Sequence, residues 1–283
     1  MSLLSGLSGL GLNNLENMDV FEDPEKAEAK KKVQEPVKIE EKDLIYDKTF
    51  KCPLCDSDAP TKIMKSGKAK LIGADQDLRP RYEGIDSVKY DVVLCPVCGY
   101  TALTRFFPNL TSAQGKLIKE KISANVKIPS FNHETYTYED AVDRYQLALV
   151  NAVVKRARAS EKAYICLKSA WLMRGFAESV KDTEKGTPEF LAELAAKEEE
   201  YIQNAYNGFV EARQSEGFPM CGMDEVTIDY LLGVLAVHLK KYDVASRMVA
   251  SILGSSTANN RMKDKARDLK DQIMQELKSI KQQ

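Results

Sequence analysis

Four cysteines arranged as two pairs are the residues of this 283-residue chain whose type and spacing could hold a metal ion. The first pair is Cys52-Pro-Leu-Cys55, and the second is Cys95-Pro-Val-Cys98, which is followed by Gly99 and Tyr100. Two CxxC pairs place four thiolates around one tetrahedral ion. Because such a set leaves no open coordination position for water or substrate, we expect a structural metal.

The identity of the metal is open between zinc and iron. Zinc is the common occupant of tetrahedral thiolate sites, so it is the ion we predict. The second pair also resembles rubredoxin, in which four thiolates hold one iron for electron transfer. The first pair lacks the Gly-Tyr that follows Cys98, and the segment between the pairs lacks the compact acidic and aromatic character of a rubredoxin, which favours zinc.

The segment around the cysteines shows the pattern of short strands and turns. Lys62–Lys65 and Lys70–Ile72 are expected to pair around Ser66 and Gly67, and Val88–Leu94 alternates as a strand leading to the second cysteine pair. This pattern is typical of a zinc ribbon, in which each cysteine pair occupies a hairpin tip. The ion then replaces a core that is too small to form alone.

The chain beyond the cysteines has helical periodicity. Residues 112–125 form an expected connecting helix, and Pro129 ends any such helix. Helix starts are indicated by Thr137 with Asp140, by Thr187 before Pro188, and by Asp224. The expected helices cover residues 138–157, 160–180, 188–214, 224–240, 242–253 and 259–280. The helix at residues 259–280 has an apolar stripe from Met262 to Ile280, which we expect to pack against another part of the protein or a partner.

A small-large-small spacing recurs in these helices and matches the second helix of a tetratricopeptide (TPR) repeat. In the third copy, Gly233 stands twelve residues before the small residue, as the TPR pattern requires. The copies are irregularly spaced, and ordinary helix bundles show the same spacing. The three copies are Ala141, Tyr145 and Ala148; Ala205, Phe209 and Ala212; and Ala245, Val249 and Ile252.

These patterns predict a mainly α protein in four parts. Residues 1–48 are expected to be a flexible tail with a short leucine-rich motif, and residues 49–110 a small β zinc ribbon. Residues 111–136 are expected to form a connecting helix and loop, and residues 137–283 an irregular TPR-like helical array.

The leucines from Leu3 to Leu15 suit a short amphipathic helix that docks into a groove of this or another protein, which would allow self-association. Alternatively, they belong to a frayed terminus.

Composition and charge limit the classes of partner and the compartment. The formal net charge is -1 and the pI about 6.3, which gives no general attraction to nucleic acid or an anionic membrane. No apolar run approaches the length of a membrane span, and the leucine-rich start lacks the basic region of a signal peptide. Six cysteines, four in metal-type pairs, fit a reducing compartment, so we expect a cytoplasmic protein.

A nucleic-acid-binding ribbon, with the helices as a regulatory or dimerising module, is the alternative function. Zinc ribbons bind nucleic acid when lysines contact phosphates and tyrosines stack on bases. Acidic residues are interspersed here, so a solvated hairpin is favoured. The relevant basic and aromatic residues are Lys62, Lys65, Lys68, Lys70, Arg79, Arg81, Tyr82 and Tyr90.

Other residues of chemical interest are best explained as structural. The loop Phe218–Asp224 holds Cys221 between two methionines, but one thiol is too few for a metal site, so we expect a packed loop. Cys166 and Trp171 fit a helix core, and His238 a partly exposed helix position. His133 is near the ribbon, but four cysteines already complete a zinc site. Catalytic motifs and phosphate-binding loops are missing from the sequence, so we expect a non-enzymatic protein.

Taken together, these motifs resemble an uncharacterised bacterial family, a domain of unknown function that joins a zinc ribbon to TPR-like helices. The resemblance depends on both CxxC pairs, Asp77–Tyr82, Lys89–Asp91 and Phe218–Asp224. It implies metal ligands at Cys52, Cys55, Cys95 and Cys98 and assigns no reaction. The sequence therefore predicts an adaptor whose helical groove binds a protein or peptide.

Overall fold

The N-terminal part of the described chain consists of short antiparallel strand pairs. The computed structural model describes residues 39–129, 131 and 133–282, so the leucine-rich motif from Leu3 to Leu15 lies outside it. Within that range β1 pairs with β2, β3 with β4, and β5 with β6. The strands are β1 (Ile45–Lys51), β2 (Asp58–Met64), β3 (Leu71–Ala74), β4 (Pro80–Tyr82), β5 (Val92–Leu94) and β6 (Thr101–Leu103).

The strand pairing differs from the sequence-based prediction. Strand β2 does not pair with Lys70–Ile72, but with β1, from Ile45 opposite Met64 to Lys51 opposite Asp58. The sequence predicts a flexible tail up to residue 48, whereas residues 41–44 form a 3-10 helix and β1 follows directly. The reason is apolar burial, because Leu44 and Ile45 are 2% and 6% exposed.

The expected strand Val88–Leu94 is also shorter in the structure. Residues Ser87–Tyr90 form a 3-10 helix, and only Val92–Leu94 remain extended. The Asp86 carboxylate accepts a hydrogen bond from the Val88 N–H at 3.1 Å, which caps this turn. This local cap favours the 3-10 turn over extended backbone, so the strand begins only at Val92.

The helices follow the sequence-based prediction closely, with ends within about three residues of those expected. The connecting helix is α1 (Ser112–Ile118), which continues as a π-helical turn at Lys119–Ser123. Thr137 and Asp224 cap the N-termini of two of the long helices, as predicted. The Thr137 hydroxyl accepts a hydrogen bond from the Asp140 N–H, and the Asp224 carboxylate accepts one from the Thr227 N–H. The long helices are α2 (Tyr138–Val154), α3 (Ala159–Val180), α4 (Pro188–Ser215), α5 (Glu225–His238), α6 (Tyr242–Gly254) and α7 (Asn260–Gln282).

A continuous apolar core runs through the helical part. Trp171 and Cys166 belong to it, as predicted, at 4% and 6% exposed. The small residues of the recurring spacing, including Ala141, Ala205 and Ala245, are fully buried. The helices therefore pack through these positions, while the assignment of TPR-like repeats remains a prediction.

Helix α7 buries only the first half of its predicted apolar stripe. Leu269 and Ile273 are buried, whereas Leu277 and Ile280 are 37% and 53% exposed. The second half of the stripe therefore extends beyond the packed core of the described residues. None of the helices in residues 39–282 combines the length and apolarity needed to cross a membrane.

Candidate metal centre

The two cysteine pairs occupy the hairpin turns that the sequence predicted. Cys52 and Cys55 lie between β1 and β2, and Cys95 and Cys98 lie between β5 and β6. In the first turn the Asp56 N–H donates to the Cys52 carbonyl at 2.9 Å, and in the second the Gly99 N–H donates to the Cys95 carbonyl at 3.0 Å. The two turns therefore have the same local fold.

The residue after each pair has a positive φ angle, +57° at Asp56 and +73° at Gly99. Glycine is required at the second position, because a Cβ on Gly99 would lie 2.6 Å from Cγ1 of Val126. Asp56 adopts the same conformation without glycine, since aspartate tolerates the left-handed region better than most residues. Each turn thus directs both of its thiols to one side.

The four sulfur atoms form a cluster with the dimensions of a tetrahedral metal site. The Sγ atoms of Cys52 and Cys98 are 3.6 Å apart, as are those of Cys55 and Cys95. All four ligand atoms lie within 4.8 Å of one another. A tetrahedral thiolate site with metal–sulfur bonds of about 2.3 Å has S···S edges of about 3.8 Å. The donor set and its spacing therefore fit one ion of this kind.

The electrostatics of the cluster favour a thiolate in the first turn. A hydrogen bond with Cys98 lowers the pKa of Cys52 to about 5, assisted by the N–H groups of Leu54 and Cys55. The same pairing raises the pKa of Cys98, and burial raises the pKa of Cys95. Several buried thiols this close cannot all ionise without a compensating positive charge, which a bound cation supplies.

Polar contacts from the helices hold the second turn in place. The Ser123 hydroxyl donates to the Cys98 carbonyl at 2.7 Å, and the Asn151 amide donates to the Gly99 carbonyl at 3.2 Å. Thr101 donates to the same Gly99 carbonyl at 3.0 Å. Sequence reasoning missed Ser123 and Asn151, because both lie far from the cysteines along the chain and belong to no local motif.

An aromatic cluster covers the centre on its inner side. The rings of Tyr100 and Phe107 stack with centroids 5.0 Å apart, and Phe50 meets Phe107 edge-on at 6.0 Å. The Tyr100 hydroxyl donates to the Phe107 carbonyl at 3.2 Å, which satisfies its one buried polar atom. Cys52, Cys95 and Cys98 are all buried, so the site is closed to solvent on most sides.

The basic residues considered for nucleic-acid binding are partly used in internal ion pairs. Arg79 is 3% exposed and contacts Asp86 at 2.9 Å and Glu178 of α3 at 3.2 Å. Arg81 contacts Asp75 at 2.7 Å and also pairs with Glu178. These arginines attach the β3–β4 hairpin to helix α3 and are not free to bind phosphates.

The other candidate residues lie away from the metal centre. The Cys221 thiol contacts the Ser160 carbonyl at 3.3 Å, and burial raises its pKa to about 12, so it is an unreactive thiol at neutral pH. His133 pairs with Asp140 at 2.7 Å, and His238 with Glu199 at 2.6 Å at the surface. Among the described residues, the four cysteines are the group whose ligand atoms converge.

The fold and site define a mainly helical protein with a four-cysteine, metal-type centre at paired hairpin turns. Residues 45–273 match the model of the family described as "Uncharacterized protein conserved in bacteria (DUF2225)", and the chain belongs to that family. The curated proteins and the solved structures yield no match to this chain.

Proposed function

We propose that the chain is a non-enzymatic interaction protein of the bacterial cytoplasm, in which the four cysteines hold one structural zinc ion. The observation that supports this most strongly is the convergence of four sulfurs within 4.8 Å of one another, three of them on buried cysteines. Four thiolates fill the coordination of zinc and leave no position for substrate. A reducing cytoplasm keeps these thiols available for the metal.

Metal analysis of protein purified without added metal tests the zinc assignment. We expect about one zinc per chain, the ratio that one tetrahedral site holds. Replacement by Co²⁺ should give the visible absorption of tetrahedral cobalt thiolate, and the variant Cys55→Ser should lose it. Iron with visible absorbance in the purified protein would contradict the assignment and support the rubredoxin-like alternative.

A groove on the helical part is the proposed site for a protein or peptide partner. It lies across α2, α3 and α4 and has a volume of about 610 Å³. Small residues form its floor, because a Cβ on Gly208 would lie 2.8 Å from the Cβ of Ala163 and the two helices approach closely there. Leu149 and Val153 of α2 form one wall, and Tyr201 of α4 forms the other.

The lining of the groove suits an amphipathic peptide. Val153 is 57% exposed and the neighbouring Val150 is 44% exposed, which gives an apolar edge that a partner would cover. The lining also includes Lys162, Lys197, Glu200 and Glu211, so charged residues of either sign can pair there. The leucine-rich segment Leu3–Leu15 of a second copy is one peptide of this chemistry, and it would produce self-association.

Binding of a labelled peptide of residues 1–15 to the full-length chain tests the groove. We expect Val153→Glu to weaken binding at least about fivefold, because it places a charge on the apolar wall. Ile72→Glu is the matched control, since Ile72 is 63% exposed on β3 and does not line the groove. Equal binding by both variants, or no binding by the wild type, would contradict this proposal.

A further inference from the structure

A second cleft, separate from the groove, is lined by three exposed arginines. Arg156 and Arg158 lie in the turn between α2 and α3, and Arg105 follows β6. The cleft has a volume of about 890 Å³ and shares no lining residue with the groove. Its other walls come from the segment before α1 and from the loop that contains Cys221.

The carboxylates in this cleft are already engaged by other groups. Glu216 accepts hydrogen bonds from the backbone N–H and the hydroxyl of Ser160, at 3.0 and 2.5 Å. Glu161 pairs with the buried Lys155 at 2.6 Å. Among the described residues, the ion pairs do not include any of the three arginines. The carboxylates in its walls therefore do not neutralise the three arginines, and the cleft has an excess of positive charge.

One of the arginines is held in position by its surroundings. Arg105 donates to the Cys221 carbonyl, and its guanidinium lies 5.7 Å from the centroid of the Phe106 ring and 6.0 Å from that of Tyr164. A fixed guanidinium loses less side-chain entropy when it binds a carboxylate, because its planar fork is already oriented. Pro108, Leu110 and Pro219 add apolar surface beside it.

We propose that this cleft binds an acidic peptide segment of a partner protein. Carboxylate side chains would pair with the arginines, and apolar side chains between them would contact Leu110 and the two prolines. Nucleic acid fits less well, because its phosphate backbone has no apolar groups to contact Pro108, Leu110 and Pro219. Because this cleft shares no lining residue with the groove, the two binding proposals can be refuted independently of each other.

Fluorescence anisotropy with two labelled probe peptides tests the proposal on the full-length, metal-loaded chain. One probe has alternating glutamate and leucine residues, and the other has glutamine in place of each glutamate. We expect measurable binding of the glutamate probe alone, and weaker binding as salt increases. Arg156→Gln with Arg158→Gln should lower its affinity about tenfold, which corresponds to about 1.4 kcal/mol.

The control variant removes the same charge elsewhere, by Arg247→Gln with Arg261→Gln on the exposed surfaces of α6 and α7. It should bind the glutamate probe as the wild type does. Equal affinity of the two double variants, equal binding of both probes, or no binding of the glutamate probe would overturn the proposal. Tighter binding of a single-stranded DNA of equal charge would also overturn it, in favour of a phosphate ligand.

Discussion

The cysteine-containing region and the helical region reach stability by different means. Residues 45–103 form strand pairs of three to seven residues, around small apolar clusters and four cysteines. The helices from Tyr138 onward share one large apolar core. Short two-stranded hairpins are marginal on their own, whereas amphipathic helices gain most of their stability by packing. This difference supports the proposal that a metal substitutes for apolar burial in the first region.

The junction between the two regions is more polar than either interior. Arg144 of α2 is 2% exposed, donates to Thr61 of β2 at 2.8 Å and lies 4.3 Å from the Tyr136 ring centroid. Arg174 of α3 pairs with Asp77 at 2.7 Å. Such contacts specify one geometry, because a displaced partner would leave a charge buried and unpaired. The helices therefore orient the region that contains the metal centre.

The largest expected effect comes from removing one metal ligand. Cys98→Ser should abolish stoichiometric metal binding and lower the free energy of unfolding by more than about 4 kcal/mol, because loss of a structural metal is among the most destabilising changes. Metal analysis and urea denaturation measure both quantities. Cys221→Ser is the control and should retain the metal, since its thiol lies outside the sulfur cluster. Full metal content in Cys98→Ser would refute this ligand assignment.

The next effect tests the polar junction. Arg79→Met should cost about 3–5 kcal/mol, because it leaves Asp86, whose side chain is 9% exposed, without its cationic partner. Arg81→Met should cost about 1 kcal/mol or less, since the Arg81 side chain is 32% exposed. Chemical denaturation compares the two variants. If both lose the same small amount, the buried pair is not a determinant of the junction.

A smaller effect is expected from tightening the contact between α3 and the β3–β4 hairpin. A Cβ on Gly175 would lie 2.4 Å from an Asp86 carboxylate oxygen and 2.5 Å from an Arg79 nitrogen. Gly175→Ala should therefore cost at least about 1 kcal/mol, although alanine favours helix. Gly254→Ala has open space and should change stability by less than about 0.5 kcal/mol. Thermal unfolding of both variants checks this, and a stabilised Gly175→Ala would argue against close packing.

The smallest effect concerns the thiol outside the metal centre. Burial raises the pKa of Cys221 from 9.0 to about 12, so the thiolate is scarce at neutral pH and its alkylation should be slow. Because the raised pKa delays ionisation, the alkylation rate should still increase above about pH 10, where a free thiol has levelled off. Peptide-resolved mass spectrometry measures this rate. A plateau in the rate at about pH 10 would show that the thiol has an ordinary pKa and would contradict the prediction.

The sequence predicts the helices and the convergence of the four cysteines better than the strand pairing. Thr137 and Asp224 mark helix starts, and the CxxC spacing alone places four thiols in two turns, because both signals are local. Leu44 and Ile45, at the start of β1, are buried in the structure. The charged residues that precede them in the sequence indicate an exposed segment, so the pairing of β1 with β2 is not predicted. Contacts such as Asn151 with Gly99 and Arg79 with Glu178 depend on how α2 and α3 dock, so no local pattern contains them.

Hydrogen exchange of the full-length chain, with and without a zinc chelator, tests the central comparison most directly. If a metal replaces a core in the cysteine-containing region, chelation should remove the amide protection of β1, β2, β5 and β6. Helices α5 and α6 should keep their protection, because their stability comes from apolar packing. Unchanged protection of the four strands after complete metal removal would contradict the account.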